Sequence, residues 1–362
     1  MIADNGQMTA AAQLARRGTR TVDCPLSAVG SFPLPCFLAP MAEFTSPPMR
    51  LLCQEHGAAR TYTEMVNAEG LCRGNPKTAF LLETFPAERH VWAHLYGNEP
   101  ERLAEAARRV EALGRFEGID LNAGCPVPRI TAQGAGSALL HDLPRLARIL
   151  RALVRAVRLP VTFKTRLGPN PNLPTWRETL RIAEDCGVAA VTFHARFTSQ
   201  GHAGQTHLDL LAEAVASTAL PIYGNGSIVD RPSAEAMATT GVKALLIARA
   251  ALNNPAVFTL APGPVPDPIA LARRHLALEL DYRRRAMAFS RLDPEAATVL
   301  TFRRHLFRYF KGLPGANALR GHLFELHTLA DIDRALEALG ERIVDSRQST
   351  VDSAGARGVH PV

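Results

Sequence analysis

From residue 36 to residue 249 the chain repeats one pattern: a short apolar run, then a stretch of helical period. The runs are CFLAPM (36–41), ARTYTEMV (59–66), HVWAHLYG (90–97), GIDLN (118–122), VTFKTRL (161–167), AVTFHAR (190–196), PIYGNG (221–226) and ALLIAR (244–249). In PERLAEAARRVEAL, Pro100 suits a first helical turn, and Leu103, Ala106, Ala107, Val110 and Leu113 share one face. Such alternation buries a parallel sheet beneath its own crossovers, and eight repeats predict an α/β fold of the (β/α)8 TIM-barrel type. A doubly wound open sheet is the competing arrangement. It needs a glycine-rich turn after the first strand, and APMAEFTSPP has none.

Beyond APGPVPDP (261–268), a proline-rich hinge, the pattern becomes purely helical, which predicts a small all-helical C-terminal domain. The expected division is an N-terminal extension (1–30), a barrel (31–262), a helical domain (263–345) and a disordered tail (346–362). Residues 273–311 carry ten Arg/Lys against four Asp/Glu, with Phe302, Phe307, Tyr309 and Phe310 interleaved among Arg303, Arg304, Arg308 and Lys311. A solvated helical face and a nucleic-acid surface both fit that stripe. The net charge of +7 suits an anionic partner. The six cysteines are scattered without a CxxC pair, so neither a zinc knuckle nor a disulfide framework is expected, and a reduced, cytoplasmic setting fits best. The first 20 residues lack a continuous apolar core, so no signal peptide is expected, and no apolar run is long enough to span a membrane.

In a barrel, chemistry gathers at the carboxyl ends of the strands. Those ends carry His94, Asn122, Lys164, Arg166, His194, Arg196, Asn225 and Arg249. Lys164 and Arg166 share a strand face, as do His194 and Arg196, so several strands aim basic groups at one mouth, which suits an anionic ligand. YGNGSI and IARAALNNP follow the last two strands, the usual phosphate site of such barrels. GAGSAL (134–139) lacks a third glycine and does not directly follow a strand, so it is not a dinucleotide loop. His90 and His94 have no nameable third partner, and no metal site is expected. Cys125, between Gly124 and Pro126, stands on a stiffened turn after a buried run. A thiol there could serve as a general acid or as a nucleophile, and sequence alone does not separate the two.

LAPMAEFTSPPMRLL, GIDLNAGCPVPRITAQGAGSALL, VTFKTRLG, TFHAR, YGNGSI, ARAALNNPAVF and RRHLFRYFKGLPGANALR together resemble the tRNA-dihydrouridine synthases, from about residue 36 to about residue 340. LNAGCP followed by GSALL is the most specific part. The resemblance implies an FMN-dependent enzyme that reduces the C5–C6 double bond of particular uridines in tRNA, with NADPH as reductant. It implies Cys125 as proton donor to C5 and Asn122 as a uracil contact. It matches Pro40, Met41 and Ala42 to the backbone cradle of the flavin ring, and Lys164 and His194 to flavin contacts. Asn225, Gly226, Ser227, Ala248 and Arg249 match the phosphate grip. Arg166 and Arg196 are expected at the substrate mouth, and Arg303, Arg304 and Arg308 on the tRNA backbone. A monomer is expected.

Three positions depart from the family pattern. His94 stands where glutamine usually contacts the flavin, Ser227 where an acidic residue is common, and Ala248 where glycine is usual. Two other functions compete: an FMN barrel acting on a free pyrimidine, and a tRNA-binding protein whose flavin chemistry has decayed.

Overall fold

The computed structural model describes residues 32–261, 266–286 and 292–355. Its strands are β1 (Cys36–Leu38), β2 (Arg60–Tyr62), β3 (Val66–Asn67), β4 (Val91–Tyr96), β5 (Gly118–Ala123), β6 (Val161–Arg166), β7 (Ala190–His194), β8 (Ile222–Asn225) and β9 (Ala244–Ile247). All neighbours pair in parallel, in the order β2-β1-β9-β8-β7-β6-β5-β4-β3, and pairing of β2 with β4 closes the ring. β2 and β3 both pair with β4 and share one of the eight barrel positions. The run expected as one strand over 59–66 is therefore interrupted. At the break, the Thr63 amide still donates to the Trp92 carbonyl at 2.9 Å, but the His94 amide is taken by the Thr63 hydroxyl at 2.9 Å in place of a backbone carbonyl. β5 and β7 are buried at every position, as strands covered on both faces must be.

The helix Pro100–Ala112 buries Leu103, Ala106, Ala107 and Val110 against the sheet. Leu113, expected on that face, lies past the last helical turn and is 45% exposed. The C-terminal helices Pro268–Arg285, Pro294–Tyr309, Ala316–His322 and Leu329–Gly355 enclose a core of their own that includes Phe302, Leu306, Phe310, Ile332 and Leu336. Asp267 and Asp293 cap the first two, each directly before a proline that cannot donate in the first turn. Leu271, Leu278 and Tyr282 pack on Leu51, Leu52 and Phe85 of the barrel, with Tyr282 stacked on Phe80 at 5.0 Å. The last helix runs past residue 346, where a disordered tail is expected; no proline interrupts residues 329–355. The expected N-terminal extension, residues 262–265 of the hinge and the final residues 356–362 lie outside the described residues. Among the described residues no helix is long and apolar enough to cross a membrane.

One buried charge pair pins the loop after β1. Arg50 and Glu88 meet at 2.7 Å with side chains 0% and 1% exposed. Arg50 also donates to the carbonyls of Thr45 (2.9 Å) and Glu83 (2.8 Å), and Glu88 accepts the Phe85 amide (2.7 Å). Removing one partner strands a buried charge. Glu88→Ala is therefore expected to lower the unfolding free energy by about 3–5 kcal/mol. Urea titrations of parent and variant would read this, and coincident midpoints would show that the pair contributes nothing.

Candidate active site

The turn that carries Cys125 is fixed from three directions. Asn122, buried at the end of β5, accepts the amides of Gly124 (3.1 Å) and Cys125 (3.0 Å) on its Oδ1. The Ser137 amide donates to the Cys125 carbonyl at 3.0 Å. That approach needs glycine at 136, where φ is +61° and a Cβ would stand 2.7 Å from the Cys125 oxygen. GSALL, which earns no dinucleotide role, thus closes the cysteine turn. Arg166, at the end of β6, donates Nε to the Gly124 carbonyl (2.8 Å) and Nη1 to the carbonyls of Phe197 (3.1 Å) and Gly201 (2.8 Å). Its guanidinium, expected at the substrate, ties the cysteine turn to the loop after β7. The Cys125 thiol is free and half-buried.

Asn122 and Lys164 are register partners on β5 and β6. Asn122 Nδ2 faces Met65 Sδ at 2.8 Å, and a thioether is a weak acceptor. Lys164 has no hydrogen-bond partner among the described residues. Burial first, and the charge of Arg166 second, push its ammonium down to about 8, against the opposing influence of Asp120 and Cys125. Lys164 precedes Arg166 by two residues on β6, and Arg166 reaches the Gly124 carbonyl, so both basic groups belong to the strand end beside the cysteine turn.

His194 follows on β7, opposite Arg166. Its Nε2 lies 3.2 Å from Arg196 Nη1 and accepts from it. Burial, then Lys164, Arg166, Arg196 and His202, hold this imidazole far below its usual range, so it is neutral. Arg196 donates to the Gly204 carbonyl (2.8 Å) and to Ser227 Oγ (2.7 Å). Asn225 donates to the Leu246 carbonyl at 2.8 Å, locking β8 to β9. Gly226 and Ser227 then take φ values of +123° and +54° in succession. A Cβ on Gly226 would sit 2.8 Å from the His194 ring. Ala248 has φ −114°, outside the left-handed region that would demand glycine. Arg249 is exposed and unpaired among the described residues.

His94 points into the barrel, where its Nδ1 donates to Asp120 at 2.6 Å; the other Asp120 oxygen accepts Thr162 Oγ1 at 2.6 Å. Asp120 lies two residues before Asn122 on β5, so the two share a strand face. His202, stacked beside His194 at 5.8 Å, had no sequence signal at all. After β1, Pro40, Met41 and Ala42 lead into a turn in which the Met41 carbonyl accepts the amides of Phe44 (3.1 Å) and Thr45 (3.0 Å). The three arginines expected on tRNA are engaged within the fold. Arg303 donates to the Leu326 carbonyl at 2.9 Å, Arg304 pairs with Glu43 at 3.0 Å, and the Arg308 guanidinium lies 5.7 Å from the Phe44 ring. The helix Pro294–Tyr309 rests on the β1 loop, which absorbs that face of the basic stripe. Among the described residues no group of three His, Cys, Asp or Glu could hold a metal ion.

A family model described as dihydrouridine synthase (Dus) matches residues 37–346. A "tRNA-dihydrouridine synthase B" of Pseudomonas aeruginosa is 33% identical over 321 residues, covering 84% of this chain and 92% of that protein. A "Probable tRNA-dihydrouridine synthase" of Mycobacterium tuberculosis is 34% identical over 349 residues, covering 90% and 86%. Another from Treponema pallidum is 34% identical over 244 residues, covering 65% and 71%.

The depressed Lys164 ammonium has a consequence in cofactor-free protein. The unfolded chain holds its lysine proton up to about pH 10.4, whereas the folded one releases it near 8. Between those values the unfolded state binds more protons, so stability rises with pH. The parent is expected to gain on the order of 3 kcal/mol relative to Lys164→Met from pH 7.5 to pH 10.5. Parallel pH profiles for the two proteins would refute the assignment.

Proposed function

The chain belongs to the dihydrouridine synthase family, and from that premise we propose that it reduces uridines of tRNA to dihydrouridine with Cys125 as the acid. The observation that carries the reading is the Cys125 turn. A half-buried thiol stands on a turn held by Asn122, Ser137 and Arg166 through backbone groups, at the strand ends that also carry Lys164.

The residues present fit FMN. Two consecutive positive-φ residues, Gly226 and Ser227, form the turn after β8, whose amides could cradle a phosphate, and the unpaired Arg249 can meet a phosphate dianion. Lys164, without a partner of its own, would sit against the ring, and Pro40–Ala42 would line it. Neutral His194, with Nε2 occupied by Arg196, would pack there without adding charge. His94 would offer its second nitrogen where the family uses glutamine, with Asp120 fixing the ring. FMN, when bound, would supply the hydride for uracil C6 and be restored by NADPH.

The remaining steps belong to the chain. The target base must leave its stack to reach the barrel mouth. Asn122 Nδ2 exchanges its weak thioether partner for a uracil carbonyl. As hydride reaches C6, the Cys125 S–H bond breaks and its proton goes to C5, so the C5–C6 double bond becomes single. The thiolate, beside Lys164 and Arg166, then recovers a proton from water. Fixed placement of the acid supplies the catalytic advantage, which is why the turn is held so tightly.

Two measurements test this. In Cys125→Ala, FMN content and reduction by NADPH are expected to persist, while single-turnover oxidation of pre-reduced enzyme by unmodified tRNA falls by roughly 10²–10⁴-fold, the loss typical of a positioned acid. Equal rates would sink the acid role. Arg249→Ala is expected to weaken FMN retention by about 1.5–3 kcal/mol through loss of a charge-assisted bond. Unchanged retention would move the phosphate elsewhere.

A further inference from the structure

We propose that Arg304 is a positioning residue of the cofactor cradle: from the C-terminal helices it holds the loop after β1 in a conformation that the loop's own sequence disfavours. The inference rests on the FMN reading above, since Pro40–Ala42 lead directly into that loop. Glu43 has φ +68°, the left-handed region that a residue with a Cβ avoids. Three contacts hold it there. Its amide donates to the Glu64 carboxylate. Arg304 Nη1 donates to its carboxylate at 3.0 Å and to its backbone carbonyl at 3.4 Å. The next residue, Phe44, meets the His305 ring edge-on at 5.5 Å and the Arg308 guanidinium at 5.7 Å.

An exposed ion pair by itself is worth little. Arg304 differs because it also reaches the carbonyl of the strained residue, so its contact favours one backbone conformation over others. With that hold gone, Glu43 can relax to negative φ. The turn that the Met41 carbonyl closes with Phe44 and Thr45 then opens, and the Met41–Ala42 backbone moves with it. Residues 304, 305 and 308 all belong to the helix Pro294–Tyr309, so this helix acts on the cradle through residues 43 and 44 as well as forming part of the bundle.

The test uses full-length protein in the series parent, Arg304→Ala, Arg304→Ala with Glu43→Ala, and Arg304→Ala with Glu43→Gly. Arg304→Ala is expected to raise the FMN dissociation constant on the order of tenfold, read by flavin fluorescence. Adding Glu43→Gly is expected to restore it, since glycine takes positive φ freely, whereas adding Glu43→Ala is not. Hydrogen exchange at the Phe44 and Thr45 amides of cofactor-free protein is expected to quicken in Arg304→Ala and to slow again with Glu43→Gly. Parental FMN affinity and exchange in Arg304→Ala, with weaker tRNA binding, would overturn the proposal and return Arg304 to the tRNA surface. A parent that retains no FMN would refute the FMN reading alone. The exchange series would then decide the role of Arg304: unchanged rates overturn it, and rates restored by glycine uphold it.

Discussion

Closure of the parallel sheet is the constraint from which the rest follows. Once β2 pairs with β4 the ring is closed, the two-residue β3 being bonded to β4 alone, and the carboxyl ends of the strands face one opening. Groups far apart in sequence, such as Asn122, Lys164, His194 and Asn225, become neighbours through register alone. Burial first, and the concentration of basic groups second, lower the proton affinities of Lys164 and His194.

Much of this was legible in the sequence because it follows from period and position. The alternation of apolar runs with helical stretches located every barrel strand, and the strand ends named the residues that converge. What escaped was whatever depends on a single side chain choosing a backbone partner. Nothing in ARTYTEMV announces that the Thr63 hydroxyl will take the His94 amide at the point where the strand divides. Arg166 reads as a ligand contact by its place, yet three backbone carbonyls take it up. Asp120 was in plain view, but its meaning depends on having His94 and Thr162 across two neighbouring strands.

The helical region shows the same limit from the other side. Its charge is plain in composition, but composition does not say which face of a helix meets the barrel. Docking brings Arg304 to Glu43 and Arg308 to Phe44 at the surface, and Arg303 donates to the Leu326 carbonyl. Arg320, lying over Phe307 at 5.1 Å, and Lys311 remain on the exposed surface, so a contact with RNA phosphates has other residues to use.

The seating of the helix Pro294–Tyr309 on the β1 loop bears on how such proteins can be recombined. The proline-rich hinge marks an obvious place to cut, and exchanging everything after it between relatives would look like a clean transfer of one module. The cut would nevertheless part Arg304 from Glu43 and both His305 and Arg308 from Phe44. A chimera that keeps these partners together has to move residues 43 and 44 along with the helices, so the unit of inheritance is discontinuous in the chain.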